Sequence, residues 1–190
     1  MRGHPVVSTL AIAVEDRPSD RVAALFDAHH QRLFRLARRL TMSADDALDL
    51  VQETFLRAAR TPESVPSGPD REEAWLVRVL INLRRDQWRK AAVQKRHDER
   101  TSGPRAQSHT ESDHGSAVIA RATIWRALDL LPPRRRAVVV MHELEGSPIS
   151  AIASQLGISA ITVRWHLSVG RRDLTRVLTS RHGDTHEDRV

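Results

Sequence analysis

Residues 149–174 read ISAIASQLGISAITVRWHLSVGRRDL and contain two short helical patterns separated by one glycine. The first pattern places apolar residues at the i, i+3, i+4 and i+7 positions of a helix with one buried side: Ile149, Ile152, Ala153 and Leu156. Gly157 comes next, and glycine readily takes the left-handed conformation that ends a helix. We therefore predict a helix that stops at Gly157, with Ile158 turning back toward the core.

A second helix is predicted directly after this turn. Ser159 stands at the expected N-cap and Thr162 in the first turn, where a side-chain oxygen accepts from free backbone N–H groups. The spacing turns Val163 and Leu167 inward and leaves three residues outside: Arg164, Trp165 and Ser168. Two short helices joined by a tight glycine turn form a helix-turn-helix, whose second helix lies in the DNA major groove.

The charge on the second helix favours DNA binding over an ordinary helical hairpin in a protein core. Four arginines give the helix a basic end: Arg164, Arg171, Arg172 and Arg176. Small Ala153 also allows the two helices to cross closely. The hairpin alternative explains neither the clustered charge nor its position, whereas a basic second helix is typical of DNA-binding modules.

The composition of the whole chain favours small helical domains. Its 190 residues suit one domain or two small ones. Hydrophobic residues make up 40% but aromatic residues only 4%, so a core must consist mainly of aliphatic side chains. The net charge of +6 and the pI of about 11.1 fit a polyanionic partner. We predict an all-α fold.

Several classes of protein are not expected from this sequence. It has no cysteine, hence no disulfide framework and no thiolate metal site. No run of eighteen apolar residues occurs, so we expect no membrane insertion and a cytoplasmic protein. Residues 1–20 are expected to be a disordered or loosely docked extension. We also find no nucleophile beside a base and no phosphate-cradling glycine loop, so we expect neither an enzyme nor a cofactor.

Residues 21–40 form the first predicted helix. Its apolar stripe leaves four arginines on the remaining surface, which we interpret as a solvated face: Arg32, Arg35, Arg38 and Arg39. His29 and His30 are adjacent and therefore point in different directions, so a metal site is not expected.

The next helix contains DDALDLVQETFLRAAR and has an acidic side. Ser43, with Asp46 three residues later, is predicted to cap its start. Asp49, Gln52 and Glu53 share the side opposite the apolar residues. Acidic groups would repel DNA, so this side is either solvated or docks a basic protein surface.

A cationic stripe is predicted on the helix of residues 71–94, after a proline-rich loop at 61–70. Arg78, Asn82, Arg85 and Arg89 recur at i, i+4, i+7 and i+11, beside Trp88. A solvated charged face is the alternative, but basic groups interleaved with an aromatic side chain suit a single nucleic-acid strand.

After the extension at residues 1–20, the chain divides into four segments by pattern. Residues 21–94 form a first domain, residues 95–116 are polar without periodicity, and residues 117–178 form a second domain. In the second domain, the helix RRRAVVVMHELEG is predicted to bury Ala137, Val138, Met141 and Leu144 and to stop at Gly146. The polar segment is predicted to be a flexible linker, long enough to let the domains sit apart. Residues 179–190 are predicted to be a polar tail.

Two stretches resemble a known family. LFRLARRLTMSADDALDLVQETFLRAAR, with the tryptophan-containing helix after it, is similar to the second conserved region of bacterial sigma-70 factors, in the extracytoplasmic-function group. LDLLPPRRRAVVVMHELEG, followed by the helix-turn-helix, resembles the fourth conserved region of the same family. The resemblance covers residues 21–178.

This resemblance implies a partner or a DNA element for each surface. It implies that Asp49, Gln52 and Glu53 bind the β′ clamp helices of core RNA polymerase, whose β subunit is a further partner. It implies that one set of side chains contacts the minus-10 element: Arg78, Asn82, Arg85, Trp88 and Arg89. It implies that the helix-turn-helix contacts the minus-35 element through another set: Ser159, Thr162, Arg164, Trp165, Arg171 and Arg172. For Trp165, packing against another surface stays open as the alternative to a base contact.

The resemblance also implies that the loop at residues 61–70 captures a flipped base, and that an anti-sigma factor acts as an inhibitory partner. A free-standing regulator of the LuxR-like group is the alternative function. It would explain residues 149–178, but it leaves the first domain and its acidic helix unexplained.

Overall fold

The structure is a computed structural model, and it describes residues 18–101 and 116–184. Within these residues the chain is all-α, as predicted, with seven α-helices and short 3₁₀ and π turns. The helices are α1 (Pro18–Leu40), α2 (Ala44–Arg60), α3 (Pro69–Thr101), α4 (Ser116–Asp129), α5 (Pro133–Val139), α6 (Ile149–Leu156) and α7 (Ala160–Asp184). None of these helices is both long and apolar enough to cross a bilayer.

Helices α1 to α3 form an N-terminal unit around aliphatic side chains. The largest fully buried residues here are leucines and a valine: Leu33, Leu36, Leu40, Leu50, Leu76, Val77 and Leu80. Ser43 caps α2, since its Oγ accepts from the backbone N–H of Asp46 at 3.0 Å, as predicted. The predicted end of α3 near residue 94 was wrong, because the helix continues to Thr101.

Helices α4 to α7 form a C-terminal unit that includes the predicted helix-turn-helix. Pro133 begins α5, where its missing N–H and fixed φ are tolerated. Helix α7 crosses α5 closely at Gly170, where an added Cβ would lie 2.6 Å from Val139 Cγ2. Only glycine fits this crossing without a shift of the neighbouring side chain.

A π-helical turn, Val140–Leu144, follows α5 and corrects one sequence prediction. The α-helical spacing from Ala137 and Met141 predicted that Leu144 is buried, but Leu144 is 48% exposed. A π turn contains one residue more than an α turn and therefore rotates the positions that follow it. The Glu145 N–H donates to Val140 O at 3.2 Å, which is the i to i+5 pattern of this turn.

The two units contact each other. Helix α3 packs against α5 and α6, and α1 also contacts α5. The sequence suggested domains that sit apart, whereas here one continuous set of buried apolar residues extends through both units. The central part of the predicted linker, residues 102–115, lies outside the described residues.

Polar groups supplement this contact between the units. Gln155 Nε2 donates to Glu73 Oε1 at 2.9 Å, and Arg136 Nε donates to Arg39 O at 3.1 Å. Burial lowers the pKa of Arg136 to about 10, with the charge of Arg84 acting in the same direction. Arg136 nevertheless remains charged near neutral pH, and it pairs with Asp129 of its own unit. A buried, paired cation therefore links the C-terminal unit to the end of α1.

Two of the four α1 arginines are not on a solvated face, so that interpretation was wrong for them. Arg32 Nη1 and Arg39 Nη1 each donate to the carboxylate of Glu145 at 2.8 Å. Arg35 and Arg38 are exposed, as predicted. The difference arises because Glu145 comes from the other unit, more than one hundred residues away along the chain.

Candidate nucleic-acid and protein interfaces

The predicted acidic side of α2 is exposed to solvent. Asp49, Gln52 and Glu53 lie within one turn and a half, with Asp49 and Gln52 exposed. Glu53 Oε1 lies 3.4 Å from Arg60 Nη1, and both side chains are substantially exposed. A surface pair of this kind contributes little to stability. These groups therefore remain available to a protein partner.

An apolar groove of about 630 Å³ lies between α1 and α2 and includes Gln52 in its lining. Its rim leaves three large apolar side chains substantially exposed: Phe26, Leu48 and Leu56. We predicted only the polar part of this surface from the sequence. The signal for the rest was present, because Leu48, Gln52 and Leu56 recur every four residues on one side of the helix. Apolar rims of this kind mark protein-binding surfaces.

The two adjacent histidines, His29 and His30, contact other side chains of the same chain. The His30 ring stacks on Phe26 at a centroid distance of 4.6 Å. His29 is buried, and its Nε2 lies 3.6 Å from Glu72 Oε2. Across the described ranges, no group of three or more His, Cys, Asp or Glu residues has a geometry that fits a metal ion.

The cationic stripe of α3 is divided into a covered part and an exposed part. Trp88 and Arg89 are exposed, whereas Arg78, Asn82 and Arg85 are half-buried. The C-terminal unit packs on this helix through α5 and α6. The structure therefore places all five predicted minus-10 residues on one helix, but only the two nearest its C-terminal end, Trp88 and Arg89, are exposed.

Arg84 and Arg85 show how neighbouring arginines on α3 take different roles. Arg84 Nε donates to Leu40 O at 3.0 Å, and burial lowers its pKa against the opposing effect of Asp46. Arg84 therefore holds α1 and α3 together. Arg85 belongs to the stripe, and its buried Nε lacks a hydrogen-bond partner, with Asp86 Oδ1 at 3.7 Å.

The helix-turn-helix has the predicted local geometry. Gly157 has φ 64° and ψ 40°, the left-handed conformation, and its N–H caps the end of α6. Ser159 Oγ accepts from the Thr162 N–H at 3.1 Å and hydrogen-bonds Thr162 Oγ1 at 2.8 Å. These contacts fix the first turn of α7 before any DNA is present. Ser159 and Thr162 therefore act as capping residues in this structure.

The outer face of α7 presents apolar and basic side chains together. Ile161 is 75% exposed and Trp165 is 53% exposed, with Arg164 exposed between them. The Arg135 guanidinium lies 5.5 Å from the Trp165 ring centroid, a cation–π contact. Trp165 thus packs against α5 through one side of its ring and faces solvent with the rest. We missed Ile161 in the sequence, although its position in the first turn was the available signal.

His166 lies beside Trp165 on the inner side of α7. Burial lowers its pKa, and the charges of Arg135 and Arg134 lower it further. Its Nδ1 is buried and has no hydrogen-bond partner. The neutral imidazole is therefore the form that this environment favours.

The basic end of α7 is partly paired. Arg171 Nη2 lies 2.7 Å from Glu143 Oε1, and its Nε donates to the same oxygen at 2.9 Å. Arg164 and Arg172 are exposed and form no ion pair with any described residue. All three arginines of the predicted minus-35 set are thus on the outside of one helix, as predicted.

Comparison with known protein families identifies both units. Residues 25–93 match the family model for sigma-70 region 2, and residues 121–174 match the model for sigma-70 region 4. The first match includes the α2 acidic face and the first 25 residues of α3, and the second includes the helix-turn-helix. The LuxR-like alternative leaves the first of these matches unexplained and is not favoured.

Curated relatives share most of this chain. It is 33% identical over 184 residues to the ECF RNA polymerase sigma factor SigE of Mycolicibacterium smegmatis, covering 91% of this chain and 69% of that protein. It is 35% identical over 159 residues to the ECF RNA polymerase sigma factor SigL of Mycobacterium tuberculosis, covering 82% of this chain and 87% of that protein.

A solved structure shows the same fold. The sigma factor RpoE from Bartonella quintana, crystallised with the anti-sigma factor NepR, superposes with a TM-score of 0.55 at 22% identity. The superposition covers 86% of this chain and 98% of that one. Family models, curated relatives and fold thus agree on both units, and the chain belongs to the extracytoplasmic-function group of the sigma-70 family of RNA polymerase sigma factors.

Proposed function

We propose that this sigma factor docks core RNA polymerase through α2 and recognises two promoter elements through α3 and α7. The observation that supports assigning α2 to polymerase and α3 and α7 to DNA is the separation of acidic and basic side chains onto different helices. Acidic and apolar side chains share the exposed face of α2, whereas arginines dominate the outer faces of α3 and α7. A polyanion is repelled by the first surface and attracted by the other two.

The docking surface combines Asp49, Gln52 and Glu53 with the apolar groove beside them. The β′ clamp helices are the proposed partner here, and the β subunit is a further polymerase partner. Exposed apolar residues at the centre of an interface supply most of its free energy, while charges around them fix the orientation. The groove supports a protein partner because nucleic acid offers little apolar surface to fill it.

Recognition of the minus-10 element is assigned to Arg78, Asn82, Arg85, Trp88 and Arg89. Trp88 offers an exposed ring on which an unpaired base stacks, and the arginines neutralise backbone phosphates. The half-buried part of this stripe becomes accessible only when the C-terminal unit moves away from α3. Promoter binding therefore requires the two units to separate.

Recognition of the minus-35 element is assigned to α7. Arg164, Trp165, Arg171 and Arg172 face outward, while Ser159 and Thr162 hold the first turn and offer hydroxyl groups toward phosphates. Exposed Ile161 adds an apolar group that suits the methyl group of thymine in the major groove. Arg171 must exchange Glu143 for DNA, so its contribution is smaller than that of a free arginine.

In the proposed function, the protein acts in the cytoplasm. It binds polymerase and an unpaired promoter strand, catalyses no covalent step and needs no cofactor. The crystallised relative RpoE binds an anti-sigma factor. We propose that an anti-sigma factor also binds this chain, because an uncovered apolar groove beside a functional face gives an inhibitor a site to occupy.

Charge reversal on α2 tests the docking assignment. The Asp49→Lys/Glu53→Lys variant is expected to lose binding to core polymerase in a competition assay while keeping its helical circular dichroism. The Glu63→Lys/Asp70→Lys variant makes the same charge change at two exposed residues outside α2 and should bind normally. Equal affinity of both variants would remove the acidic side from the proposal.

A further inference from the structure

Three arginines of α1 line a recess that also touches the C-terminal unit. Arg32, Arg35 and Arg39 occupy the i, i+3 and i+7 positions of the helix and face the residues that follow the π turn. The recess measures about 480 Å³, and Leu144, Glu145 and Ser147 form its other wall. It is therefore a cationic cavity between the two units.

Glu145 accepts hydrogen bonds from two of the recess arginines, one through each of its carboxylate oxygens. Arg32 Nη1 donates to Oε2 and Arg39 Nη1 to Oε1, each at 2.8 Å, and the Glu145 side chain is only 9% exposed. Arg35 lines the same recess, is exposed, and has no ion pair with a described residue. The recess is wider than one carboxylate needs, and it keeps an unused guanidinium.

The C-terminal unit contacts both the recess and the cationic stripe of α3. Arg32 Nε is 3.3 Å from Glu73 Oε1 of α3, and Glu73 in turn accepts from Gln155 of α6. Farther along α3, Arg78 packs against Gly157 at the α6–α7 turn. One movement of the C-terminal unit therefore uncovers the α1 arginines and the α3 stripe together.

We propose that Arg32, Arg35 and Arg39 form a binding site for DNA backbone phosphates, which Glu145 occupies as an internal anion while the two units are packed. Guanidinium groups bind carboxylates and phosphates with the same planar donor geometry, so the two anions compete for one site. The proposal extends the proposed function, because it adds a phosphate-binding surface beside the minus-10 helix and names the residue that masks it.

The Glu145→Gln variant tests whether Glu145 masks the proposed phosphate site. The Glu145→Gln variant of the full chain is expected to bind a labelled duplex roughly fivefold or more tightly in fluorescence anisotropy, the size of one good arginine contact. Asp27→Asn removes an equal charge from an exposed position on α1 and should leave affinity within about twofold. If both variants bind like the original chain, Glu145 masks no phosphate site and the proposal is overturned.

A second set of variants carries Glu145→Gln together with an arginine substitution. The ion pairs of Glu145 between the units are already removed in these variants, so the effect of each arginine on DNA binding can be measured separately. Adding Arg39→Gln should weaken binding to two unrelated duplex sequences equally and reduce the salt slope by about one. Adding Arg38→Gln, an exposed neighbour outside the recess, should not. Unchanged affinity and slope with Arg39→Gln would show that Arg39 only joins the two units.

Polymerase binding distinguishes a failure of this proposal from a failure of the proposed function. Affinity for core polymerase is measured in parallel for the original chain and for each variant. A chain that binds polymerase but shows no effect of Glu145 or Arg39 on DNA binding overturns only the phosphate site. A chain that never binds polymerase overturns the proposed function.

Discussion

The side chain of Arg78 packs against Gly157, so that a Cβ atom added to the glycine would lie 3.4 Å from Arg78 Nη1. A residue assigned to the minus-10 element thus contacts the turn of the module assigned to the minus-35 element. Under the proposed assignments, we expect that the chain cannot contact both DNA elements while these two residues stay in contact. We therefore propose that the packed arrangement is the state of the chain before promoter binding.

Separation of the two units on polymerase is the first prediction. The sequence has no cysteine, so Gln87→Cys and Ser150→Cys give one defined labelling site on α3 and one on α6. Energy transfer between dyes at these positions should fall when core polymerase is added. A Met42→Cys/Gln87→Cys pair lies within the N-terminal unit and should not change. An undiminished signal from the first pair on polymerase would contradict the opening.

The apolar groove gives a second prediction. Leu48→Ser and Leu56→Ser should each weaken binding to core polymerase, by about 1–2 kcal/mol if the leucine is buried at the interface. Both residues are already exposed, so the free energy of unfolding should change little. Met42→Ser removes an equally exposed apolar side chain outside the groove and is the control. Three variants with the same affinity would exclude the groove from docking.

The close crossing of α5 and α7 gives a third prediction. Gly170→Ala should lower the free energy of unfolding by about 1–3 kcal/mol, because the new methyl group would overlap Val139 Cγ2. Val139→Ala in the same chain should recover part of this loss by removing the overlapping atom. The measurement is a double-mutant cycle by urea denaturation. Strictly additive effects would mean that the two residues do not press on each other.

His166 gives a prediction on pH. Burial and the charges of Arg135 and Arg134 hold its pKa in the folded chain below 6.5, its ordinary value. The unfolded chain then binds a proton that the folded chain does not, so stability is lost as pH falls from 6.5 toward the folded pKa. NMR titration of the His166 ring should show the low pKa, and Arg135→Gln should raise it partway. Arg172→Gln is the control and should leave the His166 pKa unchanged. A His166 pKa at or above 6.5 in the folded chain would contradict this prediction.

The features that the sequence predicted correctly are those with local causes. Gly157 and the caps at Ser43 and Ser159 involve residues at most four positions apart, so spacing alone was sufficient. The acidic side of α2 and the basic side of α7 follow from helical periodicity in the same way. The three helices to which we assign polymerase docking and DNA binding were therefore located from the sequence.

The features that the sequence did not predict depend on distant residues or on irregular backbone. Arg32 and Arg39 were interpreted as solvated because their partner, Glu145, is 113 and 106 residues away. Leu144 was predicted to be buried because α-helical counting cannot foresee a π turn. Glu145 directly follows the same turn, so both errors involve one irregular stretch of backbone.

Run-off transcription tests the central claim most directly. Core RNA polymerase is supplied with genomic DNA and this chain, and the 5′ ends of the transcripts are mapped. We predict new start sites that share one minus-10 and one minus-35 sequence, and that disappear with the Asp49→Lys/Glu53→Lys variant. Start sites identical to those of core polymerase alone would contradict the account.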